Sequence, residues 1–173
     1  PHAAGEAEAI ARVYGDAVHL HGAAAHVGAV KTALGRCDRA HLACHGSFRA
    51  DNPLFSALTL ADGPLTVHDL ESLDAAPRQI ILSACDSGRS AVRAGDELMG
   101  MTSALLAIGA DVVIASTVPV PDEQTKPLMI ELHRRLRQGD APAPALCSAR
   151  AAVKTGDHAG AVAADAFLAF GAG

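Results

Sequence analysis

Short apolar runs that alternate with helical patterns constrain the fold of this chain more than any other feature. The segments between the runs repeat apolar residues at helical spacing, as do Met101, Leu105 and Ile108. Strands buried on both faces and separated by helices are typical of a mostly parallel sheet covered on each side. The sequence therefore predicts an α/β fold, a three-layer α-β-α sandwich. The predicted strands lie within residues 17–20, 39–44, 79–84, 111–116 and 166–170, and the predicted helices within residues 5–15, 27–34, 96–108, 128–138 and 143–154.

Two local signals add detail between the second and third strands. Asp62-Gly63 is a turn signal between two short extended pieces. Thr66 and Asp69 have the spacing of a capping box, in which each residue satisfies a backbone N–H of the other. We therefore expect a hairpin followed at once by a helix of one or two turns.

Composition and charge limit the function classes. The chain has 173 residues, half of them apolar, so we expect one domain over residues 1–173. Its 14 basic residues are scattered among 19 acidic ones, and the formal net charge of −5 argues against nucleic acid or an anionic membrane as a partner. No apolar run reaches the roughly 18 residues that a spanning helix needs, and no leader pattern opens the sequence. We expect a cytoplasmic protein with four reduced cysteines.

Two strand ends carry side chains suited to catalysis. His45 and Gly46 follow the strand within residues 39–44, and Cys85 follows the strand within residues 79–84. Sites in open parallel sheets form beyond the carboxyl ends of the strands. The two residues are 40 positions apart (85 − 45), about one crossover connection with an added loop. If the strands are neighbours, the imidazole and the thiol face one crevice.

This pair of residues has the chemistry of acyl transfer. A thiol is nucleophilic only as a thiolate, and an imidazole can take its proton and return it to a leaving amine. The backbone N–H groups of Gly46 and Cys85 would flank the attacked carbonyl as an oxyanion hole. A glycine after the histidine allows the substrate to approach the backbone closely.

Three other interpretations of these residues stay open. A histidine at a strand end is often only a hydrogen-bonded polar residue, and a buried cysteine is often an apolar filler. Cys37, His41, Cys44 and His45 are spaced like a zinc or redox cluster, but neighbours on a strand point to opposite faces, so all four would not converge. A hydrolase elbow needs glycine on both sides of its nucleophile, whereas Cys85 lies in Ser-x-Cys-x-Ser.

Four longer segments combine into one recognisable pattern: HLACHGSF (41–48), QIILSACDSG (79–88), GDELMGMTSALLAIGADVVIAS (95–116) and VPVPDEQT (118–125). This pattern, which runs from about Gly5 through nearly the whole chain, resembles the CHAT domain, a relative of caspases and separases among cysteine peptidases. The resemblance implies a caspase-like sheet, His45 as the general acid/base and Cys85 as the nucleophile. Gly46 would contribute to the oxyanion hole, and no metal or cofactor would be required.

The resemblance also implies how a protein or peptide substrate binds. An extended peptide would pair with the strand after the nucleophile strand, which makes Ser116, Thr117 and Val118 candidate contacts. Asp122 falls where separase-like relatives place an acid that accepts a basic side chain, and Asp86 is a second acidic candidate. This implies an endopeptidase that cuts after Arg or Lys. Helix capping or a solvated loop would explain either carboxylate equally well.

The chain departs from the family pattern in two places. It has no tryptophan, although the family usually has one in the segment after residues 111–116. The family's opening strand, which precedes the first helix, is missing here, so we expect a gap between residues 17–20 and the strand before His45. The family usually carries an upstream helical-repeat regulatory region that senses a partner protein. The alternative function is a catalytically silent module that uses the crevice only to bind a peptide or a partner.

Overall fold

The chain forms a layer of strands between two layers of helices. A computed structural model describes residues 2–47, 55–73, 75–83, 94–118, 120, 122–153 and 164–172. The helices are α1 (His2–Tyr14), α2 (Val27–Leu34), α3 (Val67–Glu71), α4 (Ala94–Ala107), α5 (Asp122–Gln138) and α6 (Pro142–Val153). The strands are β1 (Arg39–Leu42), β2 (His45–Ser47), β3 (Ala57–Thr59), β4 (Pro64–Thr66), β5 (Gln79–Leu82), β6 (Val112–Ser116) and β7 (Phe167–Gly171). Among the helices in these ranges, none is long and apolar enough to cross a membrane.

The central sheet has the strand order β1-β5-β6-β7. The first three strands are parallel, and β7 is antiparallel to β6. Successive side chains point to opposite faces, so β5 sends Ile80 and Leu82 to one face and Ile81 to the other. The predicted α/β sandwich with a mostly parallel sheet is confirmed.

Each face of the central sheet packs against its own apolar cluster. On the face that we name the α4 face, α2, α3 and α4 pack with Leu82 and Val113. On the opposite face, named the α5 face, α1, α5 and α6 pack with Ile81 and Ile114. Burial on both sides explains why the central strands are continuous apolar runs.

A second, smaller sheet is antiparallel and has the order β2-β3-β4. The predicted turn at Asp62-Gly63 joins β3 to β4, and the predicted capping box starts α3. The N–H of Asp69 donates to Oγ1 of Thr66 at 3.1 Å, and the N–H of Thr66 donates to Oδ2 of Asp69 at 2.9 Å. This sheet corrects one prediction: His45 does not end β1, which stops at Leu42, but begins β2.

Two further predictions about secondary structure are wrong. Residues 17–20 have no strand conformation, and Val18 is 79% exposed. Their composition suits a strand, but no backbone group of these four residues has a backbone partner in the described part of the chain. Helix α5 begins at Asp122 rather than at residue 128, with Pro127 inside it. Proline removes one helical hydrogen bond, and the burial of Leu128 and Met129 directly after it favours the continuous helix.

A groove of about 1270 Å³ lies where the sequence predicts a gap, between residues 17–20 and β1. The carbonyl oxygen of Asp38 accepts from Gln79 in β5, and that of Leu42 accepts from Ser83, which directly follows β5. Because backbone groups alternate along a strand, those of Arg39 and His41 point the other way, toward the groove. Neither has a backbone partner among the described residues.

Candidate functional site

Strands β1 and β5 are parallel neighbours, as predicted. Their register pairs Arg39 with Gln79 and Leu42 with Leu82, and the N–H of Ser83 continues the ladder to the Leu42 oxygen at 3.0 Å. Both strands therefore end at the same level of one edge of the sheet. The paired residues are forty positions apart, which is also the separation of His45 from Cys85.

Of the two catalytic candidates, the structure describes His45 but not Cys85. His45 is exposed at the start of β2, opposite Thr59, and the next residue, Gly46, is buried opposite Leu58. Cys85 lies outside the described residues, and so does Asp86. The contact between the imidazole of His45 and the thiol of Cys85 therefore stays a prediction.

The predicted substrate contacts lie at the end of β6, and each of them already has a hydrogen bond within the chain. The hydroxyl of Ser116 donates to the carbonyl of Val118 at 2.5 Å. The N–H of Thr117 donates to the carbonyl of Ala166 at 2.8 Å. Val118 is 51% exposed, so it is the most accessible of the three. Pairing of a substrate with this strand end stays a prediction. The role of Asp122 also stays a prediction: its backbone begins α5, and its side chain is not among the parts that the structure describes.

Three cysteines lie in the described part of the chain, and they differ in how far they are exposed. Burial raises the pKa of Cys44 to about 12. Burial, together with the charge of Asp38, also raises the pKa of Cys37. Cys147 is exposed. Cys44 therefore stays a protonated, apolar thiol at neutral pH.

The zinc alternative needs His41, and this ring has other partners. Its Nε2 lies 3.0 Å from Oε1 of Glu6, and its Nδ1 lies 3.1 Å from Nε2 of His133. In the described ranges, no group of three or more His, Cys, Asp or Glu side chains is arranged to hold a metal ion. His41 is thus part of a polar contact chain rather than of a converging ligand set.

That contact chain lies on the α5 face, along β1 and β5. Arg39 donates to the hydroxyl of Tyr14 at 2.9 Å, and this hydroxyl lies 2.8 Å from Nδ1 of His133. His133 contacts His41, which contacts Glu6. A neutral His133 has one donor nitrogen and one acceptor nitrogen, so its ring can join the Tyr14 hydroxyl to the ring of His41.

Glu6 ends this chain and is nearly inaccessible, with 2% of its surface exposed. It accepts from Oγ1 of Thr125 at 2.8 Å and also has a hydrogen bond with the side chain of Ser83. Burial alone would raise the pKa of Glu6. The hydrogen bond and the charge of His41 outweigh this effect, together with the hydrogen bonds from Ser83 and Thr125, so the pKa lies below its usual value. An ionised carboxylate therefore lies beneath the ends of β1 and β5.

Burial has the opposite consequence at His133, in the middle of the contact chain. It lowers the pKa of His133 to about 2, and the charges of His41 and Arg39 lower it as well. His133 is 1% exposed and therefore neutral at physiological pH.

Neither Glu6 nor His133 is among the functional residues that the sequence predicts. Each stands on the apolar face of its helix: Glu6 is four residues before the buried Ile10, and His133 is four residues after the buried Met129. A polar residue at a position with the apolar period of a helix is buried, and a buried polar residue needs a partner. That signal could have identified both.

Two comparisons with known proteins bear on identity. A search of curated proteins gives no match. The family model of the CHAT domain matches residues 1–164, which is nearly the whole chain. This agrees with the parallel sheet and with the pairing of the two strands that lead to His45 and Cys85. The chain belongs to the CHAT domain family, which shares the fold of caspase-like cysteine peptidases.

Proposed function

We propose that this chain is a cysteine endopeptidase in which Cys85 is the nucleophile and His45 transfers the protons. The observation that carries the proposal is the register of β1 and β5, since both strands end at one level and each of the two residues follows the end of its strand by three positions in the sequence. The exposure of His45 is consistent with access to a substrate. The family membership supports a peptidase-related site.

The reaction proceeds in two acyl-transfer steps. His45 takes the proton of the Cys85 thiol, and the thiolate sulfur attacks the peptide carbonyl carbon. The proton passes from the imidazolium to the leaving amine as the C–N bond breaks, which leaves a thioester on the sulfur. His45 then takes a proton from water, the hydroxide adds to the thioester carbonyl, and the C–S bond breaks as the imidazolium returns its proton to the sulfur of Cys85. The carboxylic acid product and the free enzyme result.

The oxyanion of each tetrahedral intermediate needs preorganised donors. In this proposal the N–H groups of Gly46 and Cys85 supply them, because both residues follow the ends of paired strands. Gly46 has no side chain to stand between its backbone and the substrate. No cofactor enters either step.

For specificity, we propose a basic residue before the cut, with Asp122 or Asp86 as its partner. A carboxylate can bind a guanidinium through two parallel hydrogen bonds, which favours Arg over uncharged side chains. A peptide library scanned at this position in wild type, Asp122→Asn and Asp86→Asn tests this. Loss of the preference in one variant assigns the partner, and wild-type cleavage without a basic preference contradicts the proposal.

The decisive test of the activity compares variants at matched positions. We expect Cys85→Ala to abolish cleavage of peptide and protein substrates, and His45→Ala to lower kcat by about 10²- to 10⁴-fold, the usual contribution of general acid–base catalysis. Cys147→Ala and His68→Ala, which alter exposed residues, serve as controls and should retain activity. Equal cleavage by wild type and Cys85→Ala would contradict the proposal.

Alkylation separates the peptidase from a silent binding module without any substrate. At neutral pH a thiol beside an imidazole should react with iodoacetamide faster than the exposed Cys147 in the same molecule. Cys44, whose pKa lies near 12, should remain unlabelled. Mass spectrometry of the labelled peptides gives all three rates. A Cys85 rate equal to that of Cys147 is the outcome expected of a silent module.

A further inference from the structure

Glu6 is a buried charge that the proposed reaction does not use. Burying an ionised carboxylate costs several kcal/mol unless partners compensate, and replacing a buried ionic group with apolar side chains is often neutral or stabilising. Stability alone therefore gives little reason for a carboxylate at this position, which is 2% exposed. Its partners suggest another role.

The three partners of Glu6 come from three separate elements. His41 lies on β1, Ser83 directly follows β5, and Thr125 lies in the first turn of α5. Each is close in sequence to a candidate site residue. His41 is four residues before His45, Ser83 is two residues before Cys85, and Thr125 is three residues after Asp122.

We propose that Glu6 is a positioning residue of the peptidase site, whose carboxylate holds the segments leading to His45 and Cys85 in one alignment with the first turn of α5, where Asp122 lies. The inference rests on the proposed function. Glu6 acts through its neighbours and does not touch the substrate. Alignment matters at this level because a displacement of about 1 Å at a reacting group can cost about 100-fold in rate.

The charge of Glu6 suits this role. A carboxylate is acceptor-only and can take hydrogen bonds from the imidazole and both hydroxyls at once. A glutamine side chain has the same shape but only one acceptor oxygen, and its NH₂ group would face at least one of the three donors. Glu6→Gln therefore changes the hydrogen bonding while the packing volume stays the same.

The experiment compares Glu6→Gln with Glu8→Gln, a control on the same helix whose side chain is 57% exposed. Three quantities are measured on folded protein: the alkylation rate of Cys85 relative to Cys147, kcat and KM. We expect Glu6→Gln to lower kcat and the relative alkylation rate by about tenfold, with KM within about twofold, because the alignment of the reacting groups is lost. Glu8→Gln should match wild type.

A second variant covers the case in which Glu6→Gln does not fold. Ser83→Ala removes one donor and leaves the carboxylate in place, and the exposed Ser103→Ala is its control. We expect the relative alkylation rate of Cys85 to fall about fivefold, the worth of one hydrogen bond. Unchanged rates in Ser83→Ala and, where it folds, in Glu6→Gln would overturn the inference.

The outcomes distinguish this inference from the proposed function. If wild type cleaves through Cys85 but Glu6→Gln behaves like Glu8→Gln, the positioning role alone is wrong. If wild type and Cys85→Ala behave alike in the cleavage assay, the peptidase proposal is wrong and the positioning role is overturned with it.

Discussion

The two faces of the central sheet bury their polar groups in different ways. On the α5 face, Glu6, His41 and His133 are joined into one hydrogen-bonded chain. In α4, on the other side, the buried Thr102 hydroxyl has no hydrogen-bond partner within the described residues. A connected chain stabilises one arrangement of its members, whereas an isolated buried hydroxyl only costs free energy. The α5 face should therefore respond to pH and to loss of single hydrogen bonds, and the α4 face to loss of volume.

The largest effect should come from removing volume on the α4 face. Leu105 is 2% exposed, and Leu105→Ala should lower the free energy of unfolding by about 2–5 kcal/mol because it removes buried surface and leaves a cavity. Urea denaturation at pH 5 and pH 8 measures the loss, which should be equal at both values. Leu168→Ala, at a residue 41% exposed, is the control and should cost much less. A strongly pH-dependent loss in Leu105→Ala would break the comparison.

The α5 face should make wild-type stability fall in acid. Unfolded His133 gains a proton below its usual pKa of 6.5, whereas folded His133 does not until about pH 2. Stability from this residue is therefore full above pH 6.5 and falls by about 1.4 kcal/mol per pH unit below it, or about 2 kcal/mol by pH 5. The lowered pKa of Glu6 adds a loss in the same direction, which begins below about its usual value of 4.5.

Urea denaturation between pH 5 and pH 8 tests this expectation in three proteins. His133→Gln should show a flatter pH dependence than wild type, and His68→Gln, at an exposed residue of α3, should keep the wild-type slope. Identical slopes in His133→Gln and wild type would mean that His133 titrates normally in the folded state. The polar chain would then not distinguish the two faces.

The smallest effects are expected when either of two buried threonines, Thr102 or Thr125, is replaced by valine. Thr102→Val removes an unpartnered hydroxyl and should stabilise the protein by about 1 kcal/mol, whereas Thr125→Val removes a donor from Glu6 and should destabilise it by about 1–2 kcal/mol. Each threonine is 1% exposed, so the two sites are matched for burial. Thermal unfolding of both variants gives the difference. If both variants were stabilised, or both destabilised, then a hydrogen bond to Glu6 would not decide the effect of a buried threonine hydroxyl on stability.

The parts of the fold that the sequence predicts depend on short-range patterns. The buried runs give β5 and β6, and the capping box at Thr66 gives α3. The prediction of a strand at residues 17–20 is wrong because a strand also needs a neighbouring strand to pair with, and the four residues alone do not show whether one is present. The start of α5 fails because Pro127 is a local signal that tertiary burial overrides.

The same distinction between short-range patterns and tertiary packing applies to the candidate site. The pairing of the two strands that lead to His45 and Cys85 follows from their apolar character and from the rules for parallel sheets. The polar chain does not follow from such rules, since Tyr14 and His133 are 119 positions apart and meet only through the packing of α1 against α5. Helical spacing shows that Glu6 and His133 are buried but does not identify their partners.

The outer edge of β1 has a consequence for hydrogen–deuterium exchange. The amides of Ala40 and Leu42 point to β5, whereas those of Arg39 and His41 point to the groove. Deuterium uptake along this strand should therefore alternate, slow at one residue and fast at the next. Any molecule that lies along the groove and accepts from those two amides would slow their exchange and remove the alternation.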